Sequence, residues 1–150
     1  MRAVYKSPVG LYEAKYERDT LLSLSFVHSG VVLPPGDAFG REIFRQLDEY
    51  FAGTRRQFDL PIRLQGSDFQ LKVWRGLMDI PYGEVWSYGQ LARHIGMPGA
   101  SRAVGNANGK NRLNIIVPCH RVIKADGSLG GYTGAGPNVK KWLLDHERCR

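Results

Sequence analysis

A chain of 150 residues with 43% apolar content has room for one core and at most a small second lobe. No run approaches 18 apolar residues, and the opening MRAVYKSPVG lacks an apolar leader, so neither a spanning helix nor a secretory signal is expected. Two cysteines, Cys119 and Cys149, make no disulfide framework and point to a reducing, cytoplasmic setting; the net charge of +7 is concentrated in residues 67–150, which carry 12 Lys/Arg against 6 Asp/Glu, whereas residues 1–66 carry 9 against 8.

No internal repeat is present. "LLSLSFV" sets Leu22, Leu24 and Phe26 against Ser23, Ser25 and Val27, which predicts a strand with one buried face. "GLYEAKYE" before it is a hairpin partner, and "HSGVVLPPGD" breaks regular structure. From Asp37, the residues Phe39, Ile43, Leu47 and Tyr50/Phe51 recur at helical spacing until Gly53, an amphipathic helix closed by glycine. "TRRQFDLPIRLQG" reads as a linker with a short extended piece, and the lobe boundary falls near Gly66.

The second lobe opens on a capping box, Ser67 with Gln70, and Phe69, Val73 and Leu77 give a buried stripe ending near Asp79. "IPYGEV" is a turn. A second capping box, Ser87 with Gln90, opens a helix through "YGQLARHI" that stops at Gly96, and "ASRAVGNANG" forms a third helix. Two short helices joined by a glycine-containing turn suggest a helix-turn-helix, with an ordinary helical hairpin as the alternative. The third helix is nearly stripped of bulk: Ala100, Ser101, Ala103, Gly105, Ala107 and Gly109 do not build a core but do permit close approach to another surface, with Arg102 as the one long side chain. Between Glu84 and Asp126 there is no acid, while Arg93, Arg102, Lys110, Arg112, Arg121 and Lys124 all fall there. Such a stretch either attracts a polyanion or is a solvated basic face; its confinement to one half favours nucleic acid.

"IIVPCHRVI" places Cys119 at the end of what reads as an apolar strand, with His120 and Arg121 following. Zinc held by Cys119, His120, His146 and Cys149 has the wrong spacing, because adjacent Cys119 and His120 would chelate badly. An inert buried cysteine is the bland alternative. A nucleophile needs a lowered pKa, for which neighbouring basic residues and a histidine oriented by a carboxylate, such as Glu147 in "WLLDHE", would serve. A cysteine hydrolase would use the same trio, but nothing suggests a peptide cleft beside a DNA-binding half.

With these residues assembled, the chain resembles the O6-alkylguanine-DNA alkyltransferases. "IIVPCHRVI" looks like their active-site signature, "IPYGEVWSYGQLA" and "SRAVGNANGKN" resemble their DNA-binding helices, and "GYTGAGPNVKKWLLDHE" resembles their closing segment. The resemblance is strong over residues 67–147 and weaker over 1–66. It implies an α+β fold: an N-terminal α/β lobe, 1–66, with a short antiparallel sheet and a helix, then a mostly helical domain, 67–150, with a winged-helix-like helix-turn-helix.

The resemblance also implies a role for each matching position. Cys119 is the alkyl acceptor, His120 takes its proton through a water, Glu147 polarises that histidine, and Asn111 braces the turn beneath. Tyr88 turns out the damaged nucleotide and donates to the guanine. Val122, Tyr132 and Thr133 line the base pocket. Arg102 fills the vacated place in the duplex, with Ala100, Ser101, Ala103, Gly105 and Lys110 against the DNA. Asn108 and Asn114 are expected to tune which alkyl groups fit. The implied partner is double-stranded DNA carrying O6-alkylguanine; the protein acts as a monomer, once per molecule, with no cofactor and no metal. A relative that only binds lesions and recruits other factors is the alternative, and the presence of Cys119 argues against it. One departure stands out: the segment from Tyr132 to Lys140 is one residue longer than the family pattern.

Overall fold

The computed structural model describes residues 1–132 and 135–148. Three antiparallel strands, β1 (Arg2–Ser7), β2 (Gly10–Glu17) and β3 (Thr20–Val27), form a sheet in the order β1-β2-β3. β2 buries Tyr12, Ala14 and Tyr16 with period two. β3 does not follow its own alternation. Lys15 pairs with Ser23 but Tyr16 pairs with Leu21, so Leu22 has no cross-strand partner. This bulge turns both Leu21 and Leu24 into the core and leaves Leu22 half-buried, which corrects the expected face.

The helix α1 (Ala38–Ala52) starts where Asp37 accepts from the Gly40 amide and stops at Gly53, whose φ of 82° lets its N–H return to the last carbonyls. Both expected capping boxes form, Ser67 with Gln70 opening α2 (Asp68–Leu77) and Ser87 with Gln90 opening α3 (Tyr88–His94). α2 and α3 pack so closely at Gly76 that a Cβ there would sit 2.6 Å from Ile95 Cγ2. α4 (Ser101–Gly109) completes the helix-turn-helix, and α5 (Pro137–Arg148) closes the chain. A two-residue β4 (Trp86–Ser87) runs parallel to β5 (Val122–Ile123).

One core joins the lobes: Tyr12, Leu24 and Leu47 from the first half belong to the same cluster as Val73, Leu91, Val104 and Leu143 from the second. α4 contributes to it more than expected. Val104 and Ala107 are buried, and the Trp74 indole N–H donates to the Ala107 carbonyl at 2.9 Å. Among the described residues no helix is long and apolar enough to cross a membrane.

Candidate active site

Residues 115–118 are not a strand. They lie in turns, and Ile115 takes a φ of 73°, a conformation that β-branched side chains rarely adopt. Two asparagines over-determine this shape. Asn111 Oδ1 accepts from the Leu113 amide at 3.0 Å, while its Nδ2 donates to the Val117 carbonyl at 2.9 Å and approaches Cys119 Sγ at 3.2 Å. Asn114 donates from its amide to the Leu24 carbonyl at 2.8 Å, and its Oδ1 accepts from the Phe26 amide at 3.3 Å. The sheet therefore holds the turn, and the turn aims the cysteine. Asn114 thus braces the turn, and Asn108 donates from Nδ2 to the Cys119 carbonyl at 3.3 Å while its Oδ1 is enclosed without a hydrogen-bond partner.

The turn ends in a single 3-10 helical turn, Cys119–Arg121, that leaves Cys119 fully buried. Burial pushes its thiol up to about 11, because a thiolate there has lost its water; the Asn111 amide and the Lys140 charge pull the other way. The expected activation by the adjacent Arg121 is corrected. Arg121 turns away and commits its guanidinium to Glu147 and to the Ile80 carbonyl. At rest the sulfur is protonated, and its activation comes from elsewhere.

His120 Nε2 stands 2.7 Å from Glu147 Oε2. The same carboxylate accepts from Tyr50 Oη at 2.7 Å and from Arg121 Nε at 2.8 Å. Burial alone would raise the Glu147 carboxyl, but His120 and Arg121 hold it well below its usual range. Burial holds the His120 imidazole below its ordinary value. The consistent state is an ionised Glu147 and a neutral His120 whose Nε2–H donates to it. That assignment leaves Nδ1 as an acceptor, and Nδ1 is enclosed with no hydrogen-bond partner.

α5 is locked in register by His146 Nε2, 2.7 Å from the Tyr50 carbonyl, and by Lys140 Nζ, which donates to the Val122 and Gly131 carbonyls at 2.6 and 3.0 Å. These contacts accompany the register that sets Glu147 against His120. Lys140 is fully buried, and desolvation brings its ammonium down to about 8. Tyr50 and Lys140 escaped the sequence reading. The signal for Lys140 was its place, with Leu144 and Glu147, on the buried stripe of α5, where a polar residue needs a reason.

Tyr88, the first residue of α3, lies against two glycines. A Cβ at Gly105 would sit 3.7 Å from its ring, and one at Gly130, whose φ is 72°, would sit 3.1 Å from its hydroxyl. Burial, then the nearby Cys119 charge, raises the Tyr88 hydroxyl. Val122 is fully buried, and the Tyr132 hydroxyl is enclosed. Thr133 lies outside the described residues. On α4, Arg102, Ala103 and Lys110 are exposed, Ser101 and Gly105 are half-buried, and Ala100 packs against the core. Of the acid-free stretch, Arg121 is buried and the other five cations are exposed.

The family model for "6-O-methylguanine DNA methyltransferase, DNA binding domain" matches residues 68–149, and that for the "ribonuclease-like domain" of the same enzyme matches residues 1–64. A methylated-DNA–protein-cysteine methyltransferase of Methanosarcina acetivorans is 42% identical over 151 residues, covering 97% of this chain and 96% of that protein. One of Mycobacterium tuberculosis is 57% identical over 105 residues, 70% of this chain; the match spans 63% of that relative's length. The crystal structure of M. tuberculosis OGT in complex with DNA superposes with a TM-score of 0.91 at 45% identity, covering 99% of this chain and 92% of that one. The signature around Cys119, the turn that holds it and the similarity of both lobes place this chain in the methylated-DNA–protein-cysteine methyltransferase family.

Proposed function

We propose that this protein repairs O6-alkylguanine, and O4-alkylthymine, in duplex DNA by moving the alkyl group to its own Cys119. The observation that carries the reading is the line of contacts Asn111–Cys119 and His120–Glu147, a thiol and a neutral imidazole held side by side with the imidazole's free nitrogen enclosed. The Cys119 proton passes to His120 Nδ1 through a water, and Glu147 stabilises the imidazolium. The thiolate attacks the alkyl carbon in line. A C–S bond forms, the C–O6 bond breaks, and the electron pair leaves on guanine. Tyr88 donates a hydrogen bond to the guanine as that charge develops.

The base reaches the sulfur by leaving the stack, which costs a few kcal/mol. Exposed Arg102, at the start of α4, fills the gap, while Ser101, Ala103, Gly105 and Lys110 lie along the DNA, with Ala100 at the edge; Val122, Tyr132 and Thr133 wall the base. A thioether has no easy chemical exit, so each monomer acts once, and a free, protonated thiol suits the cytoplasm. The test is intact and peptide mass spectrometry after mixing with O6-methylguanine DNA. A gain of one methyl on the Cys119 peptide is expected. Tight binding with unchanged mass would instead make the protein a lesion sensor.

A further inference from the structure

Among the described residues, one buried side-chain polar atom of the first lobe has no hydrogen-bond partner, the hydroxyl of Tyr12. Tyr12 lies on β2, is 0% exposed, and packs its ring edge-on against Phe26. Its hydroxyl is enclosed with no hydrogen-bond partner, and so is the hydroxyl of Tyr132. Tyr12 belongs to the core cluster that contains Cys119, and Tyr132 packs against that cluster. The strand facing Tyr12 holds the cysteine's turn: Tyr12 pairs with Phe26, the Phe26 amide donates to Asn114, and Asn114 Nδ2 donates to the Asn111 carbonyl at 3.2 Å. A hydroxyl buried without an acceptor is unfavourable, so such a pair marks a place where a small polar species or a developing charge completes the hydrogen bonding.

We propose that Tyr12 is a positioning residue for the nucleophile: its hydroxyl and that of Tyr132 share an enclosed water that donates toward the Cys119 sulfur as the thiol loses its proton. Tyr12 keeps its own proton throughout; the thiol proton goes to His120. Donation to the charged form favours that form, which a fully buried sulfur needs. Burial first, and then the Cys119 charge, raises the Tyr12 hydroxyl, as expected for a phenol near a forming thiolate. The other titratable groups around the sulfur are Lys140 from α5, Tyr88 from α3, and its chain neighbour His120, with Glu147 and Arg121 behind it; Tyr50 meets Glu147, Arg121, Tyr82 and Tyr132.

The proposal rests on Cys119 as acceptor and is tested apart from it. In a Cys149→Ser background, Tyr12→Phe removes one oxygen and keeps the ring. Two profiles are measured against pH: the single-turnover rate with O6-benzylguanine, and thiolate absorbance at 240 nm. The expected result is a profile moved to higher pH by about half a unit to one unit, hence roughly three- to tenfold slower transfer at neutral pH that converges on the parent at high pH. A superimposable profile, or a loss equal at every pH, would overturn the role of Tyr12. Transfer that survives Cys119→Ser would instead overturn the acceptor itself.

Discussion

Arg121 holds Glu147 with two nitrogens, Nε to Oε1 at 2.8 Å and Nη2 to Oε2 at 3.1 Å, and so the arginine next to the cysteine serves the carboxylate rather than the sulfur. This pair is buried, and it also takes the His120 and Tyr50 hydrogen bonds. Breaking it by Arg121→Leu leaves a buried carboxylate short of its cation. The expected loss is about 3–5 kcal/mol of unfolding free energy. Urea unfolding of parent and variant checks it, and a loss within about 0.5 kcal/mol would mean the pair is not a buried one in solution.

The same carboxylate predicts an acid dependence. Its folded pKa lies well below the unfolded value of 4.5, so its contribution to stability is complete above pH 4.5. It is lost as the pH falls below that value, because the unfolded chain then binds the proton first. Glu147→Gln should therefore be less stable than the parent at pH 7, with the difference narrowing as the pH falls from 4.5 toward 3. Denaturant midpoints across that range give the comparison, and a constant difference would remove Glu147 as the source.

Lys140 behaves in the opposite chemical sense. Its ammonium, brought down to about 8 by burial, disfavours folding in full below that pH, and the penalty is relieved as the pH rises toward the unfolded value of 10.5. Relative to Lys140→Met, the parent should gain stability between pH 8 and 10.5. The same substitution takes away a charge that holds the Cys119 thiol down, so transfer at neutral pH should slow about tenfold for each unit that the thiol rises. Rate against pH with a free-base substrate separates this from simple misfolding, which lowers the rate at all pH values alike.

The helices and their ends were legible because their signals are local. Ser67 with Gln70 and Ser87 with Gln90 each act within one turn of chain, and so do Asp37 at the start of α1 and Gly53 at its end. The reading failed where distant residues decide. β-branched Ile115 and Ile116 read as strand, yet Asn111, Asn114 and the sheet hold them in a turn at φ 73° for Ile115. Leu22 read as buried because a bulge, which depends on the pairing with Lys15 and Tyr16, does not show in the alternation. At the site, Cys119, His120 and Glu147 were found by motif, whereas Tyr50 lies 97 residues from the Glu147 that it touches, Tyr12 sits on a strand of the first lobe, and Lys140 hides within an apolar stripe.

Two neighbouring exposed cations sit in different surroundings. Lys110 caps α4, whereas Arg112 lines a cleft of about 390 Å³ with Glu13, Lys15 and Arg63 on the side of the sheet. Lys110→Ala should reduce the log–log salt slope of duplex binding by roughly 0.9, the value for one neutralised phosphate, while Arg112→Ala should leave it unchanged. Fluorescence anisotropy titrations over a salt series measure both. A larger effect from Arg112 would place the cleft, not the end of α4, against the DNA.

Arg102 occupies the first turn of α4, exposed, between half-buried Ser101 and exposed Ala103. Cys119 is fully buried, so Arg102 is well placed to hold a gap in a duplex and badly placed to touch the sulfur. A flipped base leaves a hole whose unstacking an inserted side chain offsets. Free O6-benzylguanine makes no such demand. Arg102→Ala should therefore slow repair of duplex DNA far more than it slows reaction with the free base, by tenfold for every 1.4 kcal/mol of lost assistance. Single-turnover rates on both substrates, with circular dichroism to show that the variant is folded, decide the matter. An equal loss on both would move Arg102 into the chemistry or the fold and end its assignment as the residue that holds the duplex open.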